Sequence, residues 1–598
     1  MHPLILLATL TVGALATAIQ AGGHDPCCSF PCQNQGVCVT ITSDSYTCDC
    51  SQTGFYGNRC EHATLLMQIK LWLKPDPETV NGILTRYKWF WDTVNYFPFL
   101  RETVMKKVYT LRSNMVDSPP TYTSQHEYIT FEAANNLSYF TRSLPPVPRN
   151  CPTPMGVAGK KQLPDVQFLV DQLFTRTEFK PDPMKTSVLF AFFAQHFTHQ
   201  FFKTDFAKGP GFTNGGHGVD VSHIYGHDKN VENLLRSFSG GKLKSQMLNG
   251  EEFPPYLRDV PGVPVRYKST VADIHKFALG HEFFGLLPGL FLYATIWLRE
   301  HNRVCEVLAK EHPVWDDERL FQTAKLIVLG ETIKIVIEDY VQHLSSYNFQ
   351  LLFKPDLLFG EEFQYQNRIA VEFNHLYHWH PLMPDRFNVS GKTYQMKDFM
   401  YHSGLVVEHG THSFTDSLSR QIAGQMTYRN HGPMTLGVAA DIIKHGRQLR
   451  FQGFNNYRKR FNMKPYTTFE ELTGEKEIAK ILEGAYGDVD AVEFYVGLLT
   501  EKRRYQALFG GTIVEMGGPF SVKGLMSNAI CSPKYWKPST FGGQTGFDIV
   551  NSASLSGLFC NNIPGQCPLV SFRIPEDSQR PPEKADYCDE DCVKKQEL

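Results

Sequence analysis

The distribution of apolar positions along the chain predicts a protein built mainly from α-helices. Through the body of the chain, apolar residues recur at intervals of three and four, which is the spacing of one helix face. The stretches that show this pattern are 184–203, 295–312, 317–346, 433–446, 469–485 and 490–502. Loops rich in glycine and proline separate them, and few segments alternate apolar and polar residues as strands do. We therefore expect residues 113–574 to form one large, mainly helical domain.

A second pattern covers the segment from Leu65 to Leu111. Short apolar and aromatic groups alternate there with basic residues, and prolines such as Pro75 and Pro98 divide the segment into pieces of two or three turns. No piece approaches the length that spans a bilayer, yet the aromatic density is too high for an ordinary solvated face. We interpret residues 63–112 as amphipathic helices that lie in one membrane leaflet. Packing of these helices on the main body is the alternative.

Cysteines add a small module before these helices. Seven of the 14 cysteines fall between Cys27 and Cys60. So short a segment cannot bury enough apolar area to fold alone, so disulfides must stabilise it. Its end, Cys-Asp-Cys-x3-Gly-Phe-Tyr-Gly-x2-Cys, resembles an epidermal growth factor module, which we place at residues 22–62. Such a module uses six cysteines, so the seventh needs a partner elsewhere, and Cys151 is the nearest candidate. A structural or dimerisation role is favoured over ligand binding.

The two termini indicate the compartment. An apolar run from Leu4 to Ala18 predicts a signal peptide over residues 1–21, with a retained membrane anchor as the alternative. The tail, residues 575–598, ends in Lys-Gln-Glu-Leu, which resembles a retention signal of the endoplasmic reticulum. We expect a location in the lumen of the endoplasmic reticulum, extending to the nuclear envelope. Asn136 and Asn388 begin glycosylation sequons that this compartment can use.

Composition then narrows the function. Apolar residues make up 42% of the 598-residue chain, which supports a large core. The chain has 59 basic and 61 acidic side chains, so it offers no electrostatic attraction for nucleic acid.

Two histidine-containing segments carry the candidate chemistry. In the segment Tyr377-His-Trp-His380, a phenol lies three residues from an imidazole, so an iron ligand and a radical-forming side chain are close in sequence. Gln195 and His199 are four residues apart on an otherwise apolar helix face, where a neutral histidine can take a proton from a hydroperoxide. A buried structural histidine is the alternative for each segment. A zinc site is less consistent with the second, because neither further nearby ligands nor a glutamate base accompanies it.

Longer motifs carry a family resemblance. Arg-Glu-His-Asn-Arg at 299–303 resembles the animal haem peroxidases. The runs 314–347, 376–385 and 530–543, the last reading Ile-Cys-Ser-Pro-Lys-Tyr-Trp-Lys-Pro-Ser-Thr-Phe-Gly-Gly, are similar to the prostaglandin G/H synthase (cyclooxygenase) family within that group. The resemblance covers essentially the mature chain, module by module and in the same order.

The resemblance implies a role for particular residues. It makes His380 the axial iron ligand of haem b (iron protoporphyrin IX), His199 and Gln195 the distal peroxidase pair, and Tyr377 the radical-bearing phenol. It places Arg112 and Tyr347 at the mouth of an apolar channel, where Arg112 receives a fatty-acid carboxylate. The implied substrate contacts inside that channel are Val341, Phe373, Trp379, Val514 and Ser521, and the implied further lining is Phe197, Phe201, Leu344, Leu376 and Phe509. The cysteines implied to form disulfides are Cys27, Cys28, Cys32, Cys38, Cys48, Cys50, Cys60, Cys151, Cys560 and Cys567.

The implied activity is a coupled one. A tyrosyl radical at Tyr377 removes hydrogen from arachidonate or a similar polyunsaturated fatty acid, and molecular oxygen adds to give a prostaglandin endoperoxide. A peroxidase reaction then reduces the hydroperoxide that has formed. The family also implies a homodimer. Two other hypotheses are an adhesion or matrix protein that kept a peroxidase scaffold, which does not need iron, and a plain peroxidase of small phenols, which does not depend on Arg112.

Overall fold

The computed structural model describes residues 25–73, 75–149, 151 and 162–576, and these residues form a mainly helical protein. The predicted signal peptide and the Lys-Gln-Glu-Leu terminus lie outside the described residues. The α-helices are Leu65–Leu73, Pro77–Arg86, Lys88–Tyr96, Pro98–Ser113, Glu132–Asn135, Val166–Leu169, Val188–Thr198, Ser222–Tyr225, Lys229–Leu235, Pro288–Glu311, Asp317–Ile335, Gln342–Ser345, Val371–Leu376, Met396–Phe399, Gly404–His409, Thr411–Arg420, Leu436–Gln448, Phe454–Arg460, Phe469–Thr473, Lys476–Tyr486, Phe494–Thr500, Gly511–Met526, Gln544–Ser552 and Leu555–Cys560.

Strands are short and pair only as two-stranded antiparallel ribbons within the described chain. The pairs are Val37–Thr42 with Ser45–Asp49, Phe55–Tyr56 with His62–Ala63, Tyr122–Thr123 with Thr141–Arg142, Gln246–Leu248 with Glu251–Phe253, and Arg386–Val389 with Lys392–Gln395. The prediction of a mainly helical fold with few strands is confirmed.

Three buried helices organise the core. Pro288–Glu311 packs against both Asp317–Ile335 and Val188–Thr198. Val188–Thr198 is buried on all sides except at Gln195, which explains why its sequence is apolar all round rather than on one face. The hydroxyl of Ser187 accepts the backbone N–H of Phe190 and so caps the start of this helix.

Four predicted helical stretches differ in detail, and in two of them, 184–203 and 490–502, the α-helix is shorter, at Val188–Thr198 and Phe494–Thr500. The stretch 317–346 is helical as far as Ser345 but widens into a π-turn at Val336–Val341 before Gln342–Ser345. The stretch 469–485 is not one helix, because Phe469–Thr473 ends where Gly474 takes a left-handed conformation with φ 68°. Glycine enters that conformation without steric cost, so the first helix ends there and a second begins at Lys476.

The cysteine-rich module is built on the hairpin Val37–Thr42 with Ser45–Asp49. Disulfides join Cys27 to Cys38, Cys32 to Cys48 and Cys50 to Cys60, and a further one joins Cys28 to Cys151. This last bond ties the module to the helical body, as expected for the seventh cysteine. Another disulfide joins Cys560 to Cys567, whereas Cys305 and Cys531 are free and buried.

The four helices from Leu65 to Ser113 expose an unusual apolar surface. Trp72 is 84% exposed and Phe99 is 78% exposed. The other large apolar side chains exposed on these helices and their connections are Leu65, Leu66, Ile69, Leu71, Leu73, Ile83, Tyr87, Trp89, Phe90, Tyr96, Phe97, Leu100 and Leu111. So many exposed apolar side chains on one run of helices indicate an interaction surface. Among the described residues, no helix has the length and apolar character needed to cross a membrane.

The two sequons differ in setting. Asn136 follows the short helix Glu132–Asn135 and accepts the backbone N–H of Ser138, whereas Asn388 lies within the strand Arg386–Val389. Both side chains are half-buried, and their glycosylation stays a prediction.

Candidate active site

Two cavities in the helical body meet at one side chain. The larger, which we call the histidine cleft, has a volume of about 1060 Å³ and is bordered by Gln195, His199 and His380. The smaller, which we call the apolar cavity, has a volume of about 20 Å³ and is walled mainly by phenylalanine, valine, isoleucine and leucine side chains. Tyr377 borders both.

His199 lies at the end of the helix Val188–Thr198 and is held by that helix. Its Nδ1 hydrogen-bonds the carbonyl oxygen of Gln195, one turn earlier. A carbonyl can only accept, so Nδ1 carries the proton and Nε2 keeps its lone pair. Burial is the main cause that lowers the pKa of His199 to about 4, so the ring is neutral at neutral pH. The side-chain oxygen of Gln195 is buried without a hydrogen-bond partner among the described residues.

His380 begins the short 3₁₀ turn His380–Leu382. Arg176 anchors this turn, because its Nη2 donates to the carbonyl oxygens of Pro381 (3.3 Å) and Met383 (3.0 Å). Nδ1 of His380 is buried without a hydrogen-bond partner in the described part of the chain. Burial, with a smaller contribution from His199, lowers the pKa of His380 to about 4, so its imidazole is neutral as a metal ligand must be.

Tyr377 is enclosed by aromatic rings between the two cavities. Its ring stacks on Trp379, with centroids 4.2 Å apart, and meets Phe373 edge to face at 5.2 Å. Burial raises the pKa of Tyr377 to about 12, and the neighbouring hydroxyls of Tyr340 and Ser521 offset part of that shift. The phenol therefore keeps its hydrogen at neutral pH.

The residues expected in the channel divide between several places. The apolar cavity is lined by Phe197, Phe201, Val341, Phe373 and Ser521, among others. Trp379 borders the histidine cleft instead, through its stacking on Tyr377. The remaining expected lining residues pack in or against the core outside both cavity walls, and these are Leu344, Leu376, Phe509 and Val514.

Arg112 lies in a charged cluster. It forms a close ion pair through Nη1 with Glu515, whose other oxygen accepts Arg504 Nη1 at 2.7 Å. Arg504 also pairs with Glu78 at 3.0 Å. The two arginines hold the pKa of Glu515 below its usual value despite its burial. Tyr347 is half-buried next to Arg112, and the nearby guanidinium moderates the rise of the tyrosine's pKa that desolvation causes.

Two residues at the site were not found from the sequence. His281 borders the histidine cleft, and its ring lies edge to face with His199 at 4.9 Å. Glu515 pairs with Arg112 across 403 positions of sequence. Neither residue belongs to a periodic or spaced motif, so only folding brings each to its partner. His378, next to Tyr377, donates from Nδ1 to the carbonyl oxygen of His375 at 3.1 Å, and its own carbonyl oxygen accepts the Tyr495 hydroxyl at 3.0 Å.

The donor set of the cleft fits a haem. Pockets for large ligands reach about 1,000 Å³, and the cleft is of that size. Its histidine His380 is neutral and has an unpaired buried nitrogen, and imidazole is the usual proximal ligand of peroxidase haem. A second neutral histidine, His199, supplies a base in the same cleft.

Comparison with known proteins agrees with this fit. The family model for animal haem peroxidase matches residues 211–565. The chain is 56% identical to prostaglandin G/H synthase 2 of Oryctolagus cuniculus over 573 residues, 96% of this chain and 94% of the relative. It is also 56% identical to prostaglandin G/H synthase 1 of Mus musculus over 554 residues, 92% of each chain.

Solved structures show the same fold at low sequence identity. The fatty acid alpha-dioxygenase of Arabidopsis thaliana has a TM-score of 0.61 at 17% identity, covering 88% of this chain and 98% of its own. Peroxidase A of Dictyostelium discoideum has a TM-score of 0.60 at 17% identity, covering 77% of this chain and 99% of its own.

Proposed function

The chain belongs to the prostaglandin G/H synthases of the animal haem peroxidase family, and from this premise we propose how its residues divide the work of a fatty-acid dioxygenase and a peroxidase. The enzyme converts arachidonate to a prostaglandin endoperoxide in this proposal, with haem b as cofactor and molecular oxygen as co-substrate. The observation that carries it is the position of Tyr377, which borders both the histidine cleft and the apolar cavity.

His380 is the residue that holds the haem iron in this proposal. A haem held there would supply the oxidising equivalent that the Tyr377 phenol needs to form its radical. Only two residues separate Tyr377 from His380, and the anchored turn His380–Leu382 fixes the imidazole relative to the phenol. This short connection keeps the phenol near the imidazole that would hold the haem.

His199 and Gln195 perform the proton chemistry of the peroxidase reaction. Nε2 of His199 has the free lone pair, so it takes the proton of a bound hydroperoxide and returns it to the departing oxygen. The Gln195 side chain steadies the developing negative charge with its amide N–H. The low pKa of His199 keeps this base available at neutral pH.

Tyr377 performs the oxygenase chemistry on the other side. Its radical removes a hydrogen atom from a substrate carbon between two double bonds, because the carbon radical that forms is delocalised. Phe373, Val341 and Ser521 face the same small cavity, which holds at most about one water molecule. A fatty acid therefore has to part these side chains when it enters, and once there it excludes water from the radical.

Arg112 anchors the substrate carboxylate. Its ion pair with Glu515 uses one nitrogen, whereas a guanidinium carries five N–H donors, so further donors can meet a carboxylate. Tyr347, Trp379 and Val514 contribute to binding in this proposal as neighbours of the anchor and of Tyr377. Since Arg112 is largely buried, its attraction for the carboxylate is only weakly screened by water.

The exposed apolar surface of the first helices supports a location at a membrane. The exposed aromatic side chains of Leu65–Ser113 support peripheral binding to one membrane leaflet, which would deliver the fatty acid to Arg112 on the last of these helices. Residence in the endoplasmic reticulum lumen and nuclear envelope, homodimerisation, and glycosylation at Asn136 and Asn388 complete the proposal. Domain limits at residues 22–62, 63–112 and 113–574 are part of it.

Oxygen consumption by the purified protein tests this function directly. With haem and arachidonate we expect oxygen uptake and a prostaglandin endoperoxide among the identified products. Haem absorbance without oxygen uptake, but with oxidation of small phenols, would favour a plain peroxidase. Absence of haem uptake would favour a protein that has only kept the scaffold.

A further inference from the structure

His281 lies next to the distal base and has no task in the mechanism above. It belongs to a loop that precedes the helix Pro288–Glu311, and its side chain borders the histidine cleft. Its ring stands at 87° to the ring of His199, with centroids 4.9 Å apart. The residue is only 6% exposed, so the position is built into the interior rather than left at the surface.

The loop fixes which nitrogen of His281 carries the proton. The backbone N–H of Phe283 donates to Nδ1 at 3.1 Å. A backbone amide cannot accept, so Nδ1 holds a lone pair and the neutral ring carries its proton on Nε2. Burial, followed by His199 and Lys203, lowers the pKa of His281 well below its usual value, which keeps the ring neutral. Nε2 has no hydrogen-bond partner within the described chain.

His281 and His199 therefore present opposite functions to one cleft. Nδ1 of His199 donates a hydrogen bond to a carbonyl oxygen, so its Nε2 is the nitrogen that can accept one. Nδ1 of His281 accepts from an amide, so its Nε2 donates. Hydroperoxide cleavage needs both kinds of group: one that accepts the proton of the peroxide and one that stabilises the oxygen on which negative charge develops.

We propose that Nε2–H of His281 is a second distal hydrogen-bond donor, beside Gln195, for an oxygen of the bound hydroperoxide. The proton stays on His281 throughout, because His199 is the group that transfers one. This inference rests on the proposed haem site, since the peroxide must be bound in the same cleft.

Fluoride binding to the ferric protein measures the donor without any turnover. Fluoride is a small anion that binds haem iron and depends on hydrogen-bond donors around it, and its binding is followed by the haem absorption spectrum. At constant pH, His281→Leu should weaken fluoride binding about 10- to 100-fold, the effect of losing one hydrogen bond to a charged acceptor. His281→Gln, which keeps an N–H donor, should stay within a few-fold of the unaltered protein.

His227 offers a matched control. It also borders the cleft but is about half exposed and pairs with Asp228 at 3.2 Å. His227→Leu should leave fluoride affinity unchanged. Rates of hydroperoxide reduction should follow the same order as fluoride affinity across the His281 variants.

Two results would overturn the inference while leaving the haem site intact. One is unchanged fluoride affinity in His281→Leu, and the other is an equal loss in His281→Gln, which would show that ring shape matters and the donor does not. The haem absorbance of each variant is recorded first, and His281→Met replaces His281→Leu if the latter binds no haem. Failure of the unaltered protein to bind haem would instead refute the proposed function.

Discussion

The histidine cleft and the apolar cavity share Tyr377 and differ in almost everything else. The cleft, at about 1060 Å³, is bordered by His380 and by His199 and His281, and backbone hydrogen bonds set the proton positions of the last two. The apolar cavity, at about 20 Å³, is closed by aromatic and aliphatic side chains. Proton transfer requires polar groups and access for small molecules, whereas a carbon radical requires that water and other hydrogen donors be kept away. Tyr377 lies at the boundary of the two cavities, so one phenol can take part in both reactions although they need different surroundings.

Removal of the shared phenol should have the largest effect. Tyr377→Phe deletes the hydrogen that must leave to form the radical but keeps the ring that stacks on Trp379. Oxygen uptake with arachidonate should fall to background, while hydroperoxide reduction continues at close to its normal rate. An oxygen electrode and a peroxidase assay on the same preparation measure both.

Tyr340→Phe is the control for this variant, because Tyr340 is a second buried phenol beside the same cavity. It should retain oxygen uptake. If Tyr377→Phe consumed oxygen normally, the two cavities would not be coupled through this residue.

Removal of the base His199 from the histidine cleft should affect mainly the peroxidase reaction. His199→Leu should slow hydroperoxide reduction by about 10²- to 10⁴-fold, the usual contribution of general acid–base catalysis. Oxygen uptake should persist but begin after a longer lag, because priming of Tyr377 depends on the peroxidase reaction. Haem absorbance should be retained, since His380 is untouched. Equal loss of both activities without a lag would contradict the division of labour between the two cavities.

Replacement of the substrate anchor Arg112 should affect only the oxygenase reaction in the apolar cavity. Arg112→Gln removes a charge-assisted contact and should raise the KM for arachidonate by about 10- to 100-fold. Peroxidase kinetics with a small hydroperoxide should not change. Lys107→Gln is the matched control, because Lys107 is an exposed cation on the same helix, Pro98–Ser113. A fall in peroxidase activity in Arg112→Gln would mean that the charged cluster supports the whole fold.

A change of pH close to neutrality should have the smallest effect on the rate of hydroperoxide cleavage. His199 acts as a base in its neutral form, and its pKa is lowered to about 4. The rate of hydroperoxide cleavage should therefore be constant from neutral pH down to about pH 5, and should fall as pH drops through about 4, where Nε2 becomes protonated. An acid limb near the ordinary histidine value, about 6.5, would show that the base is solvated rather than buried.

Sequence patterns predicted the helical class because helix periodicity is a local property. Segments such as 295–312 and 317–346 carry apolar residues at helical spacing, and both are helical in the structure. The segment 469–485 is also helical, but Gly474 in its left-handed conformation divides it into two helices that share a similar pattern. Resemblance to a family located His380, Tyr377 and His199, whose motifs are contiguous in the chain.

What the sequence alone determined was which chemical groups are present and which lie on a common helix or turn. Gln195 with His199 is a pair of this kind, because one helical turn fixes their separation, and Tyr377 with His380 is another, because only two residues lie between them. Only the tertiary structure decided that Glu515 pairs with Arg112, that His281 stands against His199, and that Tyr377 borders two cavities at once. These relations join distant segments through the packing of buried helices, and the spacing of residues along the chain does not encode such packing.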